Sequence, residues 1–383
     1  MRKRVLILGS TGSIGRSTLS VIESQREDFE VFGLVCKENV RLLNEQIERF
    51  RPRYVAVLES SKKDLVDLER GRVLTGMEGI KELIAMEVDI VVNAISGSQG
   101  LEPTIEALKR ERTLALANKE SVVMAGRIIS RLASQSRARL LPVDSEHSAL
   151  FQLLERFRRE EVKTLIITCS GGPLRDYDNR ALSEAKPEQA LIHPVWTMGK
   201  KITLDSATLM NKAFEVIEVR WLFDIEPERI RVLVHPESII HGLLELIDGS
   251  VFCYMAHPDM RIPISFAINE GKRRHLPVKG LSLEDVACLT FFPPDEERFP
   301  AIRLAYEALR VGDSAQVVMN AANEVAGIAF MQGRIKFTDI CRIVREVMEH
   351  HEVRPVVDST ELVLELTRWA RSFTERLLEE EYE

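Results

Sequence analysis

A short apolar run, Val5-Leu6-Ile7-Leu8, leads straight into Gly9-Ser10-Thr11-Gly12-Ser13-Ile14-Gly15 and then into a stretch of helical periodicity. Strand, glycine-rich turn and helix in immediate succession constrain the fold more than any other feature of the chain. Free N–H groups at such a helix start, with the positive end of its dipole, favour a phosphate anion, and glycines let the backbone approach it. The spacing is G-x-x-G-x-x-G rather than the commoner G-x-G-x-x-G, and a tight turn with no ligand would read the same way. The next 130 or so residues favour a dinucleotide: to about residue 143, Val, Ile and Leu runs alternate with amphipathic helical stretches. That alternation is the mark of a doubly wound parallel sheet. Strands are expected at 4–8, 30–36, 53–58, near Val73, and at 89–95, 113–116 and 139–143, giving an α/β, Rossmann-like N-terminal domain.

The end of the second strand selects between dinucleotides, because an acid there holds a ribose 2′-hydroxyl and a cation accepts a 2′-phosphate. Here it reads Cys36-Lys37-Glu38-Asn39. Lys37 and Asn39 point to NADP, whereas Glu38 would reverse that reading if it faced the ribose.

Charge excludes another class of partner. The 52 Lys and Arg against 59 Asp and Glu leave a net charge of -7 with no long block of one sign, so nucleic acid is not an expected partner. The five cysteines, Cys36, Cys169, Cys253, Cys288 and Cys341, are widely spaced, odd in number and without a CxxC pair. They predict reduced thiols rather than a disulfide frame or a zinc site. No apolar run is long enough for a signal segment or a membrane span, which makes the expected location the cytoplasm.

After residue 143 the alternation breaks down. A strand is expected at 163–169, followed by a polar Gly- and Pro-bearing loop over about 170–202, long enough to be a lid or a linker. A helix is predicted over 207–223, then two strands at 239–246 and 251–256 about the hairpin signal Asp248-Gly249. The Pro-rich stretch near 271–300 reads as irregular, and 301–383 shows helical periodicity alone. The expected organisation is a nucleotide domain over 1–146, an α+β catalytic domain over 147–275, a linker over 276–300 and a helical bundle over 301–383.

Asp144-Ser145-Glu146 follows the strand ending at Val143, so two carboxylates stand two residues apart at the sheet edge where ligands bind. Neighbouring carboxylates repel unless a proton or cation lies between them, and hard oxygen ligands suit Mg²⁺ or Mn²⁺. The alternative is that Asp144 or Ser145 caps a helix over 148–157. Farther on, Asn211, Glu215 and Glu218 share a narrow helical arc with Lys212 at its edge, while apolar residues cover the rest of the circumference. Such a stripe is either buried or lines a cleft, and a metal, a phosphate and a sugar hydroxyl would satisfy Glu215, Lys212 and Asn211. A single wetted face is the ordinary alternative. Asp205 or Ser206 is a candidate N-cap for this helix.

His193, His235 and His257 precede prolines. His235 and His257 read as structural hydrogen-bonders. His193 differs because it shares the polar loop with Trp196 and Met198, bulky groups suited to closing over a substrate and excluding water. Ser170-Gly171-Gly172 offers amides and a hydroxyl to a phosphate, or forms a simple turn. Neither a G-x-S-x-G elbow nor a GK[ST] loop occurs, which removes support for serine hydrolase and ATPase readings.

Taken together, GSTGSIG, LANKE, PVDSEHSA, SGGPLR, HPVWTMGKKITLDSATLMNKAFEVIE and HPDMRIPI resemble the motifs of the 1-deoxy-D-xylulose 5-phosphate reductoisomerase family of the non-mevalonate isoprenoid pathway, from end to end of the chain. The resemblance implies an NADPH- and metal-dependent homodimer that rearranges and reduces this small phosphorylated sugar to 2-C-methyl-D-erythritol 4-phosphate. It implies cofactor contacts from Ser10, Thr11, Gly12, Ser13, Ile14, Lys37, Asn39, Asn118, Glu120 and Gly199, and metal ligation by Asp144, Glu146 and Glu215. Lys119, Ser145, Glu146, Ser170, His193, Trp196, Ser206, Asn211, Lys212, Glu215, His241 and Met260 would then face the substrate. Lys119, Asp144, Glu146, Glu215 and His193 would be the catalytic groups. Cys36 replaces a usual glycine and Gly242 a frequent serine. A plain NADP-linked dehydrogenase or an NADP sensor would explain the first domain but not the acidic trio.

Overall fold

The computed structural model describes residues 2–381. Two compact units emerge, each discontinuous in sequence. The first comprises the chain up to Asn118, Ile129–Ser148 and Asp259–Lys279, and the second Lys119–Ile128, Ala149–Pro258 and the chain from Gly280 onward. These units cut across the expected segments, because the helix Lys119–Gln135 is divided between them and Asp259–Lys279 rejoins the first.

The first unit is built on seven parallel strands: β1 (Lys3–Leu8), β2 (Phe29–Cys36), β3 (Tyr54–Val57), β4 (Arg72–Thr75), β5 (Ile90–Asn93), β6 (Thr113–Leu116) and β7 (Leu140–Pro142). Their order is β4-β3-β2-β1-β5-β6-β7, the doubly wound arrangement expected. Strand order reverses between β1 and β5, and in open α/β sheets ligands bind at such a switch point. Val5, Leu6, Ile7 and Leu8 are fully buried, as a strand covered on both faces requires. A helix unforeseen from sequence, Arg261–Ile268, belongs to this unit; Pro263 stands in its first turn, where a missing N–H is tolerated.

The second unit has a four-stranded sheet in the order β11-β10-β8-β9, from β8 (Val162–Cys169), β9 (Ile230–Val234), β10 (Ile240–Leu246) and β11 (Val251–Met255). The β10–β11 hairpin is as expected; β9 was not foreseen. The expected helix over 207–223 is Met210–Phe223, preceded by a separate helix, Lys200–Ala207, with the break between them where Leu209 adopts φ 61°. Helical periodicity carries across that break because Leu209 and Met210 are both buried, so no Gly or Pro marks it. The stretch read as a linker is partly ordered: Phe292 bridges Val234 of β9 in antiparallel register. The final helices, Ala301–Val311, Asp313–Met331, Asp339–His350 and Thr360–Glu381, do not form a core of their own. Ala315, Val318, Met319 and Ala322 share one core with Phe214, Ile217 and Leu244.

Candidate active site

In the first unit, the phosphate loop leaves β1 at the switch point. Gly9 has φ 84°, and a Cβ there would stand 2.5 Å from the Ala94 carbonyl oxygen, so only glycine fits. Gly12 caps the helix Ser13–Ser24 without a side-chain hydrogen bond to its first N–H groups. Amides at such a helix start suit a phosphate anion. Ser10 is fully buried, and Gln46 Nε2 donates to its carbonyl at 2.9 Å, pinning the loop from the next helix. Lys37 is exposed beyond β2, and Asn39 caps the helix Val40–Phe50 by accepting from the Leu42 N–H at 3.2 Å. Asn118 is buried and its amide donates to the carbonyls of Ile95 (2.7 Å) and Gly97 (2.9 Å), so it shapes the loop after β5.

Beyond β7, Asp144 performs the capping role that sequence left open. Its Oδ1 accepts from the N–H groups of Glu146 (3.1 Å) and His147 (3.3 Å), starting the helix Ser145–Leu154. The buried His147 imidazole places Nδ1 3.0 Å from the same oxygen, and Ser145 donates to Glu146 Oε2 at 2.7 Å. Asp144 and Glu146 are half-buried, oriented oxygen donors at the carboxyl edge of the sheet. Met260, in the same unit, precedes the helix Arg261–Ile268 as its N-cap.

The second unit gathers the polar stripe. Glu215 is 1% exposed and Lys119 6% exposed, with Lys119 Nζ 3.2 Å from Glu215 Oε1. Asn211 Nδ2 donates to the same oxygen at 2.7 Å, and Lys212 pairs with Glu215 Oε2. Glu218 Oε2 is 3.6 Å from Lys119. The stripe is therefore buried, not a wetted helix face, and burial is tolerable because each charge has an opposite neighbour. Close packing fixes the spacing: a Cβ on Gly126 would overlap the Trp221 ring at 2.1 Å, so glycine lets the two helices meet.

Ser170, Gly171 and Gly172 follow β8, and Gly172 has φ 75° with its α-carbon so close to the next segment that a Cβ would lie 2.4 Å from the Ser206 carbonyl oxygen. This brings Gly172 against the backbone of Ser206 and Ala207. The Ser206 hydroxyl donates to Ile202 O at 2.8 Å in its own helix. His193 Nδ1 accepts from the N–H groups of Val195 (3.1 Å) and Trp196 (2.9 Å). A neutral ring thus carries its proton on Nε2, which donates to Ser170 Oγ at 3.0 Å. Ser170 Oγ also accepts from the Gly172 N–H at 3.1 Å, which leaves its own O–H to donate outward. Trp196 is half-buried with its ring 6.4 Å from that of His241, while Ile192 is 71% exposed on the same loop. His241 is buried on β10, with Nε2 3.3 Å from Ala256 O.

One sequence reading changes. Asp205 is no N-cap; it lies inside the helix Lys200–Ala207, bound to Lys201 Nζ at 2.8 Å and to Asn323 Nδ2 at 2.8 Å. Gly199 is the cap residue there. Glu120 is buried with Lys201 Nζ 2.8 Å from Oε1. Burial acts to raise the Glu120 pKa, but the charge and hydrogen bond of Lys201 outweigh it and hold the carboxyl below its usual range. For Lys201, desolvation favours the neutral form and is outweighed by Asp205 and Glu120, so its pKa is raised. Sequence reasoning missed the pairing of Lys201 with Glu120 and of Asn323 with Asp205 because those partners are remote in the chain. His235 is structural, as expected: Nδ1 is 2.8 Å from Thr290 O, and Nε2 accepts from the Ile239 N–H at 3.2 Å.

Comparison with known proteins gives three family models in chain order. 1-Deoxy-D-xylulose 5-phosphate reductoisomerase matches residues 5–126, its C-terminal domain 140–223, and a DXP reductoisomerase C-terminal domain 255–373. The reductoisomerase of Chlorobium chlorochromatii is 47% identical over 377 residues, covering 97% of this chain and 98% of its own. That of Caldanaerobacter subterraneus subsp. tengcongensis is 48% identical over 355 residues, covering 91% and 93%. Among solved structures, the Zymomonas mobilis reductoisomerase in complex with NADPH superimposes with a TM-score of 0.92 at 37% identity, covering 99% and 100%. A DOX-P reductoisomerase in complex with NADPH, fosmidomycin and magnesium gives 0.91 at 33% identity, covering 98% of each chain.

Proposed function

The chain belongs to the 1-deoxy-D-xylulose 5-phosphate reductoisomerase family, and from that premise we infer how its own residues divide the work. It is an NADPH- and divalent-metal-dependent oxidoreductase that converts 1-deoxy-D-xylulose 5-phosphate to 2-C-methyl-D-erythritol 4-phosphate. The observation that carries the residue assignment is the buried cluster of Glu215 with Lys119, Lys212 and Asn211.

Both groups fit the residues present. The uncapped helix start at Gly12 and the close-packed Gly9 suit a dinucleotide diphosphate, and the all-carboxylate set of Asp144, Glu146 and Glu215 suits a hard cation. When bound, the cation supplies Lewis-acid polarisation of substrate oxygens and NADPH supplies the hydride. Asp144 is held in orientation by its own helix cap, and Glu146 by Ser145. Lys119 is the candidate to carry a proton or stabilise developing negative charge, since it is buried beside Glu215. Asn211 Oδ1, buried without a hydrogen-bond partner among the described residues, is an acceptor for a substrate hydroxyl. The Ser170 hydroxyl, Ser206, Asn211 and Lys212 are assigned to the phosphate end. Trp196 and Met198 close over the substrate and His193 sets the Ser170 hydroxyl, so that water is kept from the reacting carbons. Ser10, Thr11, Ser13, Ile14, Lys37, Asn39, Asn118, Glu120 and Gly199 line or shape the cofactor side, and His241, Ser145 and Met260 complete the substrate side.

Homodimer formation and a cytoplasmic location are part of the proposal. The first is supported by the open edge of β11, where Val251 and Phe252 are 56% and 44% exposed. The second is supported by five cysteines in thiol form and by the lack, among the described residues, of a helix long and apolar enough to cross a membrane. The test is NADPH oxidation with 1-deoxy-D-xylulose 5-phosphate, in EDTA and after adding back Mg²⁺ or Mn²⁺. Metal-restored oxidation that Glu215→Gln abolishes supports the assignment, and full activity of that variant contradicts it.

A further inference from the structure

Just past the lid, one ammonium group joins three helices. Lys201 Nζ is 2.8 Å from Glu120 Oε1, 2.8 Å from Asp205 Oδ2, and 5.6 Å from the centroid of the Phe214 ring. Glu120 begins the helix Lys119–Gln135, Asp205 lies in the helix Lys200–Ala207, and Phe214 lies in the helix Met210–Phe223. Asn323, from the helix Asp313–Met331, completes the network by donating to Asp205 Oδ1 at 2.8 Å. Glu120, Asp205, Phe214 and Asn323 are all buried. Two buried carboxylates so close together are stable only with a cation between them.

The chain neighbours of these partners are the groups assigned to the chemistry. Lys119 adjoins Glu120, and Glu215 adjoins Phe214. Gly199, the last residue before this helix, is exposed, with nothing within 4 Å of the Cβ direction. The lid segment therefore runs into a fixed point immediately after an exposed, loosely packed residue.

We propose that Lys201 is a positioning residue: its bonds to Glu120 and Asp205 hold Lys119 against Glu215 and anchor the C-terminal end of the lid. The proposal rests on the reductoisomerase reading, because it gives Lys201 an effect on turnover through Lys119 and Glu215. It gives a role to a residue outside the set assigned to substrate and cofactor. Misplacement of a reacting group by about 1 Å is enough to cost on the order of 100-fold in rate.

The test compares wild type, Lys201→Met and Lys201→Arg in NADPH oxidation with 1-deoxy-D-xylulose 5-phosphate and Mg²⁺, alongside hydrogen–deuterium exchange of the peptides spanning residues 119–128 and 200–207. An inactive wild type would overturn the functional reading and leave the structural claim to the exchange data. With active wild type, Lys201→Met is expected to lose kcat by roughly tenfold to 100-fold with a smaller change in KM. Exchange should quicken in both peptides, and Lys201→Arg should recover much of kcat because its guanidinium reaches both carboxylates. A Lys201→Met enzyme with kcat within about twofold of wild type overturns the proposal. So does accelerated exchange in the second peptide alone, because the link to Lys119 would then be missing. If Lys201→Met does not fold, Asp205→Asn keeps the Glu120 pair and is expected to lower kcat several-fold; an unchanged kcat there also overturns it.

Discussion

Lys119 Nζ stands 3.2 Å from Glu215 Oε1, both side chains being almost wholly buried. Glu215 is shared by Lys119 and Lys212, so its removal takes a buried carboxylate partner from each. Breaking such a pair costs about 3–5 kcal/mol. Glu215→Ala is expected to lower the unfolding midpoint in urea by a corresponding amount and to reduce turnover on the order of 100-fold or more. Equilibrium unfolding and steady-state kinetics check both.

Ser170 Oγ lies within hydrogen-bond reach of the His193 ring and of the Gly172 amide, and with both donating to it the hydroxyl is left to donate to a further partner. Its assigned partner is the substrate phosphate, and a hydrogen bond to a charged group is worth roughly 1.5–3 kcal/mol. Ser170→Ala is expected to raise KM by about tenfold to 100-fold with NADPH affinity unchanged. Fluorescence titration with NADPH separates the two effects.

The Lys201 network carries a pH signature of definite sign. Glu120 has a folded pKa depressed from its ordinary 4.5, so the stability it contributes is present above that value and is lost as pH falls through the lower folded one. Lys201 has a folded pKa raised from 10.5, so its contribution is present below 10.5 and is lost only as pH rises through the higher folded value. Wild type is expected to exceed Glu120→Gln in melting temperature at neutral pH, with the gap narrowing below the ordinary carboxyl range. A gap constant with pH would contradict the pairing.

How legible this was in sequence depends on range. The parallel strands were readable because fully buried strands are continuous Val, Ile and Leu runs, and their boundaries fell within a residue or two for β1, β2 and β6. The stripe of Asn211, Glu215 and Glu218 was readable because helical period places them together. The break at Leu209 was not, since a buried leucine takes a left-handed conformation that only its surroundings enforce. The helix Arg261–Ile268 is buried nearly all round, so it has no polar face to reveal a period. The partnership of Lys201 with Glu120 was equally invisible, because pairing between distant segments leaves no local pattern.

The cysteines divide by burial. Desolvation pushes the Cys36 thiol up to about 11 and that of Cys341 up to about 12, whereas Cys253 and Cys288 are exposed. The thiolate is the reactive form. Native protein is expected to react rapidly with a maleimide at Cys288, and at Cys36 and Cys341 only after unfolding, as peptide mass mapping would read.

The most direct test of the central claim is the identity of the product formed from 1-deoxy-D-xylulose 5-phosphate, NADPH and Mg²⁺, read by carbon NMR. The account predicts 2-C-methyl-D-erythritol 4-phosphate, with its branched carbon skeleton and one NADPH consumed per molecule. A straight-chain reduction product would contradict it, because hydride transfer would then occur without the rearrangement that Asp144, Glu146 and Glu215 are held to support.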